Sequence, residues 1–320
     1  METPPKHIFS PVYQNQFPSP YSYFIPRTVI ARPAPAGRGN PPPSLVIASR
    51  LLDFLRSSVL EFFLDIIKSM QTVVNGVLTN YSDINPKQKK TVVILHGWGS
   101  SISYWIPLSN LLSPKIRTIL IDLPGFGSTG PLPGQPDVPE YTNFVRSFTQ
   151  KLNLKNFILV GHSFGGQITL DYALKYPEDL NSIVLIAPAA IRERSKLVQT
   201  KIKLTKIIKP LFSLLPHNGF EKFLGWYTPK DYSNSNEYQK KVIGKIVVYN
   251  LKSYLGDVKV PTDIIWGSED FVIPNMGKYL AENIPDSHLY VIYGANHLIH
   301  LSHLRQLADI INQIIAKRYV

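Results

Sequence analysis

From Thr91 onward the chain repeats one pattern: short, almost wholly apolar and β-branched runs separated by longer stretches of helical character. The runs are Thr91–Leu95, Arg117–Ile121, Phe157–Val160, Ser182–Ile186, Thr262–Trp266 and Leu289–Ile292. A strand that is apolar on both faces must be covered on both faces, which is the condition of a parallel sheet between helices. The pattern predicts a three-layer α/β domain with a mostly parallel sheet. The interval between Ile186 and Thr262 is too long for one crossover. Its helical, basic sequence predicts an inserted cap, about residues 190–258, over the C-terminal ends of the strands.

Two further segments precede this domain. Residues 1–43 are rich in proline and aromatic side chains and end in Gly37-Arg38-Gly39-Asn40-Pro41-Pro42-Pro43. Proline lacks the backbone donor that helix and sheet require, so an extended, disordered tail is expected. From the N-cap candidate Ser44, residues Leu51, Leu55, Val59, Phe62, Ile66, Met70, Val73 and Val77 recur at spacings of three and four. That spacing predicts an amphipathic helix over residues 44–78, ending near Gly76. Such a helix packs on the domain that follows it, pairs with a second copy or lies on a membrane surface. The domain proper is then residues 79–320.

The strongest chemical signal is Gly161-His162-Ser163-Phe164-Gly165, a G-x-S-x-G pattern. The pattern alone is common. Here it follows a predicted strand and opens a predicted helix over Gln167–Tyr176, the context in which the serine sits on a sharp turn with its hydroxyl exposed. A serine hydroxyl needs a base, and the base needs an orienting acid. Of the eight histidines, His297 lies just past the strand Leu289–Ile292, on the correct sheet edge. His300 and His303 fall in a following helix, and His162 adjoins the serine on too tight a turn to face it. His7, His217 and His288 lie in the tail, in the cap and before a strand. The acid is expected just past Thr262–Trp266, where Glu269 and Asp270 both fit and Asp270 is preferred. Two backbone N–H groups complete an acyl-transfer site: that of Phe164, after the serine, and that of Trp98 in the loop His96-Gly97-Trp98-Gly99. The Trp98 side chain is expected to line the acyl pocket.

These residues, together with Asp122-Leu123-Pro124-Gly125-Phe126-Gly127-Ser128, resemble the α/β-hydrolase superfamily over about Thr91 to Val320. His96-Gly97-Trp98-Gly99 and Asp122-Leu123-Pro124-Gly125-Phe126-Gly127 are similar to the motifs of pimeloyl-carrier-protein methyl ester esterases. The resemblance implies a serine carboxylesterase working through an acyl-enzyme, with Ser163, His297 and Asp270 as triad and no cofactor or metal. Asp122 takes no catalytic role in that pattern. The family usually begins with an antiparallel hairpin, for which Gly76–Ile84 offers at most one short strand. C–C bond hydrolysis and acyl transfer to an alcohol or amine use the same triad, and a non-catalytic binding protein is the alternative of another class.

Charge narrows the partners. The chain carries a formal net charge of +12. Between Ile191 and Val260 stand 14 Lys or Arg against 5 Asp or Glu, a net +9 in the expected cap. A basic surface of this kind attracts an anionic membrane or an acidic carrier protein presenting a small acyl ester, or it is simply a solvated face. No nucleic acid partner is expected. Cysteine is absent, which excludes disulfides, thiolate metal sites and a cysteine nucleophile. Met1–Ser10 lacks the apolar core of a secretory leader. Residues 45–78, the most apolar stretch, are interrupted by six charges from Arg50 to Lys68. A cytoplasmic location, peripheral on the membrane, is the expectation.

Overall fold

The computed structural model describes residues 69–191 and 236–319. The proline-rich tail, the predicted helix as far as residue 68 and residues 192–235 of the expected cap lie outside the described residues.

Eight strands form one sheet: β1 Ser69–Val74, β2 Val77–Ile84, β3 Thr91–Leu95, β4 Arg117–Ile121, β5 Phe157–His162, β6 Leu180–Ile186, β7 Thr262–Gly267 and β8 Ser287–Ile292. Their spatial order is β1-β2-β4-β3-β5-β6-β7-β8. Strands β3 to β8 run parallel, and each of the six apolar runs falls inside one of them. Among the described residues the α-helices longer than four residues are α1 Val138–Lys151, α2 Phe164–Lys175, α3 Glu237–Ile246, α4 Gly277–Asn283 and α5 Leu304–Arg318.

The expected helix over residues 44–78 does not extend into the described region. Ser69–Val74 and Val77–Ile84 form an antiparallel hairpin in register from Ser69↔Ser82 to Val74↔Val77, and β2 pairs antiparallel with β4. The turn is Asn75-Gly76, with φ of 48° and 80°. Positive φ at both central positions is what a two-residue hairpin turn requires, and Asn-Gly supplies it at least cost. Met70, Val73 and Val77 keep a helical spacing with the residues before them, which hid the stronger local signal of a β-branched run on either side of Asn-Gly. The hairpin that begins the family pattern is therefore present.

Alternation along the strands builds two cores. Val93, Leu95, Ile119, Leu159 and Leu185 face one way, against Phe144 and Phe148 of α1 and Ile168 of α2. Val92, Ile94, Leu120, Ile158, Val160 and Val184 face the other way, against Leu307, Ile311 and Ile314 of α5. Burying one such aliphatic side chain stabilises by about 1.5–3 kcal/mol. Helix α1 is fixed at its start by a reciprocal capping box between Asp137 and Glu140. Because β3, β5, β7 and β8 are parallel, the loops after them open on one sheet edge, which is where open α/β sheets bind ligands.

Of the described residues in the expected cap, α3 bonds to this edge. The Gln239 side chain donates to the Gly125 carbonyl at 3.1 Å, and the Tyr238 hydroxyl lies 3.1 Å from that of Tyr141.

Candidate active site

Ser163 stands between the last residue of β5 and the first of α2, with φ 53° and ψ −112°. A residue with a Cβ pays about 1–3 kcal/mol for such a backbone. The strain is held by three hydrogen bonds: its N–H donates to Ile186 O at 3.0 Å, and its carbonyl accepts from Gln167 N at 3.0 Å and Ala189 N at 2.9 Å. The turn also needs close backbone approach. A Cβ on Gly165 would lie 2.5 Å from the Leu95 carbonyl oxygen and 2.6 Å from that of His96.

His297 meets Ser163 from the loop after β8. Its Nε2 is 3.0 Å from Ser163 Oγ, and its Nδ1 is 2.7 Å from Asp270 Oδ2. An ionised carboxylate only accepts, so the Nδ1–H is the donor and Nε2 keeps a lone pair for the serine hydroxyl. The other Asp270 oxygen accepts from the N–H groups of Val272 at 2.9 Å and Ile273 at 3.1 Å. Burial alone would raise the Asp270 carboxyl, but the hydrogen bond and charge of His297 and these two amides outweigh it and hold it below the usual value. The loops after β7 and β8 are tied to each other by Glu269 N–H to Ala295 O at 2.9 Å and Gly294 N–H to Ser268 Oγ at 2.8 Å. The Glu269 side chain, the other sequence candidate, is exposed.

Phe164 is the first residue of α2, where a backbone N–H has no intrahelical acceptor and the helix end is positive. The loop bearing Trp98 passes the serine closely, since a Cβ on Gly97 would lie 3.2 Å from Ser163 Cβ. The Trp98 ring packs edge-on against Phe126 at 4.9 Å and Phe164 at 5.5 Å. Tyr141 adds a second edge contact to Phe164 at 5.1 Å, so the wall beside the serine is aromatic.

Asp122 acts as a knot, in keeping with a structural turn. Its carboxylate accepts from Ile102 N at 2.7 Å, Asn80 Nδ2 at 2.8 Å and Ser128 N at 2.9 Å. It thereby ties β2 to the loops after β3 and β4. His96 is the neighbouring brace: its Nδ1–H donates to Gly97 O at 2.7 Å and its Nε2 accepts from Leu123 N at 3.0 Å.

Sequence reasoning missed the layer of imidazoles behind His297. His162 packs 4.9 Å from His297 and 5.1 Å from His300, ring to ring, and His300 stacks on Trp105 at 4.3 Å. The fully buried His162 is pushed well below the ordinary histidine value, first by burial and then by the charges of His297 and His300. His300 is pushed down to about 3, again by burial first. Both stay neutral while the unfolded chain protonates, so the unfolded state binds more protons below pH 6.5 and stability must fall as the solution is acidified. His300 alone contributes a loss of about 2 kcal/mol between pH 6.5 and pH 5. Urea unfolding at pH 7 and pH 5 checks this: the midpoint should drop at pH 5, and His300→Phe should shrink the drop. An unchanged wild-type midpoint contradicts it.

Comparison with known proteins points to the same fold. Residues 90–216 match the family model of the α/β-hydrolase fold. Monoacylglycerol lipase ABHD6 of Homo sapiens is 26% identical over 260 residues, covering 72% of this chain and 77% of that protein. The uncharacterized hydrolase YugF of Bacillus subtilis is 26% identical over 254 residues, covering 71% and 90%. Among solved structures, a bacterial membrane phospholipase A superposes with a TM-score of 0.65 at 18% identity, covering 86% of this chain and 96% of its own. A putative lipase from Acinetobacter baumannii superposes with a TM-score of 0.64 at 20% identity, covering 78% and 91%. The chain has the α/β-hydrolase fold, which the family model matches over residues 90–216 and the solved structures match over most of the chain.

Proposed function

We propose that the protein is a serine ester hydrolase that cleaves a lipid-like acyl ester through Ser163, His297 and Asp270. The observation that carries this reading is the continuous hydrogen-bonded line from Asp270 Oδ2 to His297 Nδ1 at 2.7 Å and from His297 Nε2 to Ser163 Oγ at 3.0 Å. Ser163 Oγ attacks the ester carbonyl while His297 Nε2 takes its proton. The oxyanion rests on the N–H groups of Phe164 and Trp98. The C–O bond to the alcohol breaks, and the alcohol leaves with the proton held by His297. Water, deprotonated by the same nitrogen, then hydrolyses the acyl-enzyme and restores Ser163. Asp270 keeps the imidazole in its working tautomer and stabilises the imidazolium.

An apolar acyl chain suits the aromatic wall of Trp98, Phe126, Phe164 and Tyr141. The relatives named as a monoacylglycerol lipase and a membrane phospholipase A support an ester drawn from a lipid surface, and the net +9 of the insertion suits an anionic one. Among the described residues no helix is long and apolar enough to cross a membrane. The test is a substrate panel. Long-chain glycerol monoesters in anionic vesicles should be hydrolysed faster than in neutral vesicles, and a dienone acid should be left intact. Faster C–C cleavage of the dienone acid than hydrolysis of any ester overturns the proposal.

A further inference from the structure

His162, the residue before the nucleophile, joins three chain segments. Its Nε2–H donates to the main-chain carbonyl of His297 at 2.9 Å. On the other side of the ring, a Cβ on Gly97 would lie 2.8 Å from Nδ1, so the imidazole is wedged against the loop that carries Trp98. Its own backbone continues into Ser163, whose Oγ lies 3.0 Å from His297 Nε2. Nucleophile and base are thus closed into a ring: Ser163 Oγ to His297 Nε2, His297 carbonyl to His162 Nε2, and His162 by peptide bond back to Ser163. His297 is gripped at two points, its ring by Asp270 and its main chain by His162.

Packing does not account for an imidazole here. A carbonyl oxygen only accepts, so His162 carries its proton on Nε2 and leaves Nδ1 bare. That Nδ1 is buried without a hydrogen-bond partner, which native interiors rarely tolerate. A phenyl ring would fill much the same space with no orphaned atom. What the imidazole adds is the donor on Nε2.

We propose that His162 is a positioning residue for ester hydrolysis, fixing the main chain of His297 and with it the separation of base and nucleophile. The role rests on the reading of Ser163 as nucleophile and His297 as base.

Two variants test it. His162→Gln places an amide N–H near the position of the imidazole Nε2, whereas His162→Phe keeps the ring and removes the donor. Both are assayed for kcat and KM on p-nitrophenyl butyrate and for the rate of labelling by a fluorophosphonate probe. A misplacement of the base on the order of 1 Å costs about 100-fold. His162→Phe should therefore lose about 100-fold in kcat and in labelling rate with KM within about twofold. His162→Gln should stay within about fivefold of wild type, because the donor is kept. Labelling of His162→Phe within about threefold of wild type overturns the positioning role, as does a glutamine variant as impaired as the phenylalanine one, or a loss that falls in KM. A wild type that does not label at all overturns the nucleophile reading and this role with it. Independently of variant folding, 15N spectra of the wild-type imidazoles should show His162 as the Nε2–H tautomer from pH 5 to pH 8. A proton on Nδ1 in that range contradicts the geometry.

Discussion

Replacing Ser163 by alanine is expected to remove turnover of every ester, by about a millionfold in kcat, with binding and stability nearly unchanged. The nucleophile must lie within reach of both His297 Nε2 and the N–H groups at the start of α2, and Ser163 Oγ, 3.0 Å from His297 Nε2, meets both conditions. Alanine suits the site structurally. It has the same Cβ on the same strained backbone, and the three main-chain hydrogen bonds of residue 163 need no side chain. Steady-state assays on p-nitrophenyl esters, with the thermal midpoint of the variant measured beside wild type, check both halves. Residual activity above about one thousandth of wild type, with a normal midpoint, would mean that Ser163 is not the nucleophile.

The second large effect is expected at Asp270. Asp270→Asn should lower kcat by about 10⁴-fold while leaving KM within a few-fold. The side chain keeps its shape, and its carbonyl oxygen can still accept from the N–H groups of Val272 and Ile273, at 2.9 and 3.1 Å in the wild type. The amide nitrogen then faces His297 Nδ1 and donates to it. The imidazole proton is forced onto Nε2, pointing at the serine hydroxyl, and the lone pair that accepts the serine proton is lost. The charge that stabilises the imidazolium goes as well. Kinetics on the purified variant decide the point: a loss of less than about tenfold would show that the 2.7 Å contact to His297 does not set the tautomer.

Much of the fold was legible because the parallel strands are apolar on both faces. A run such as Thr91–Leu95 or Arg117–Ile121 has little alternative to the inside of a sheet, and both coincide with strands to the residue. The other boundaries slipped by one or two residues, as at Leu180 and Asn181 in β6 and at Ser287 and His288 in β8. The first hairpin was misread for a physical reason. Its exposed edge strand carries Met70 and Val73 on the surface, and these kept phase with the helical pattern before them while the Asn75-Gly76 turn went unweighed. Ser163, Asp270 and His297 could be singled out because each follows a strand end. Choosing Asp270 over Glu269 depended on which side chain turns inward, and adjacent residues on one loop do not declare that. The contact of His162 was not readable either. It depends on the main chain of a residue 135 positions away, and the only sequence signal was its place beside the serine.

The central claim is that one oxygen, Ser163 Oγ, forms the covalent acyl-enzyme. The most direct measurement is mass spectrometry of the intact protein after reaction with a fluorophosphonate, followed by peptide mapping of the adduct. One adduct per chain, located on Ser163, lost in Ser163→Ala and slowed in Asp270→Asn is the predicted result. An adduct on another residue, or an unmodified wild-type protein after prolonged exposure, would contradict it.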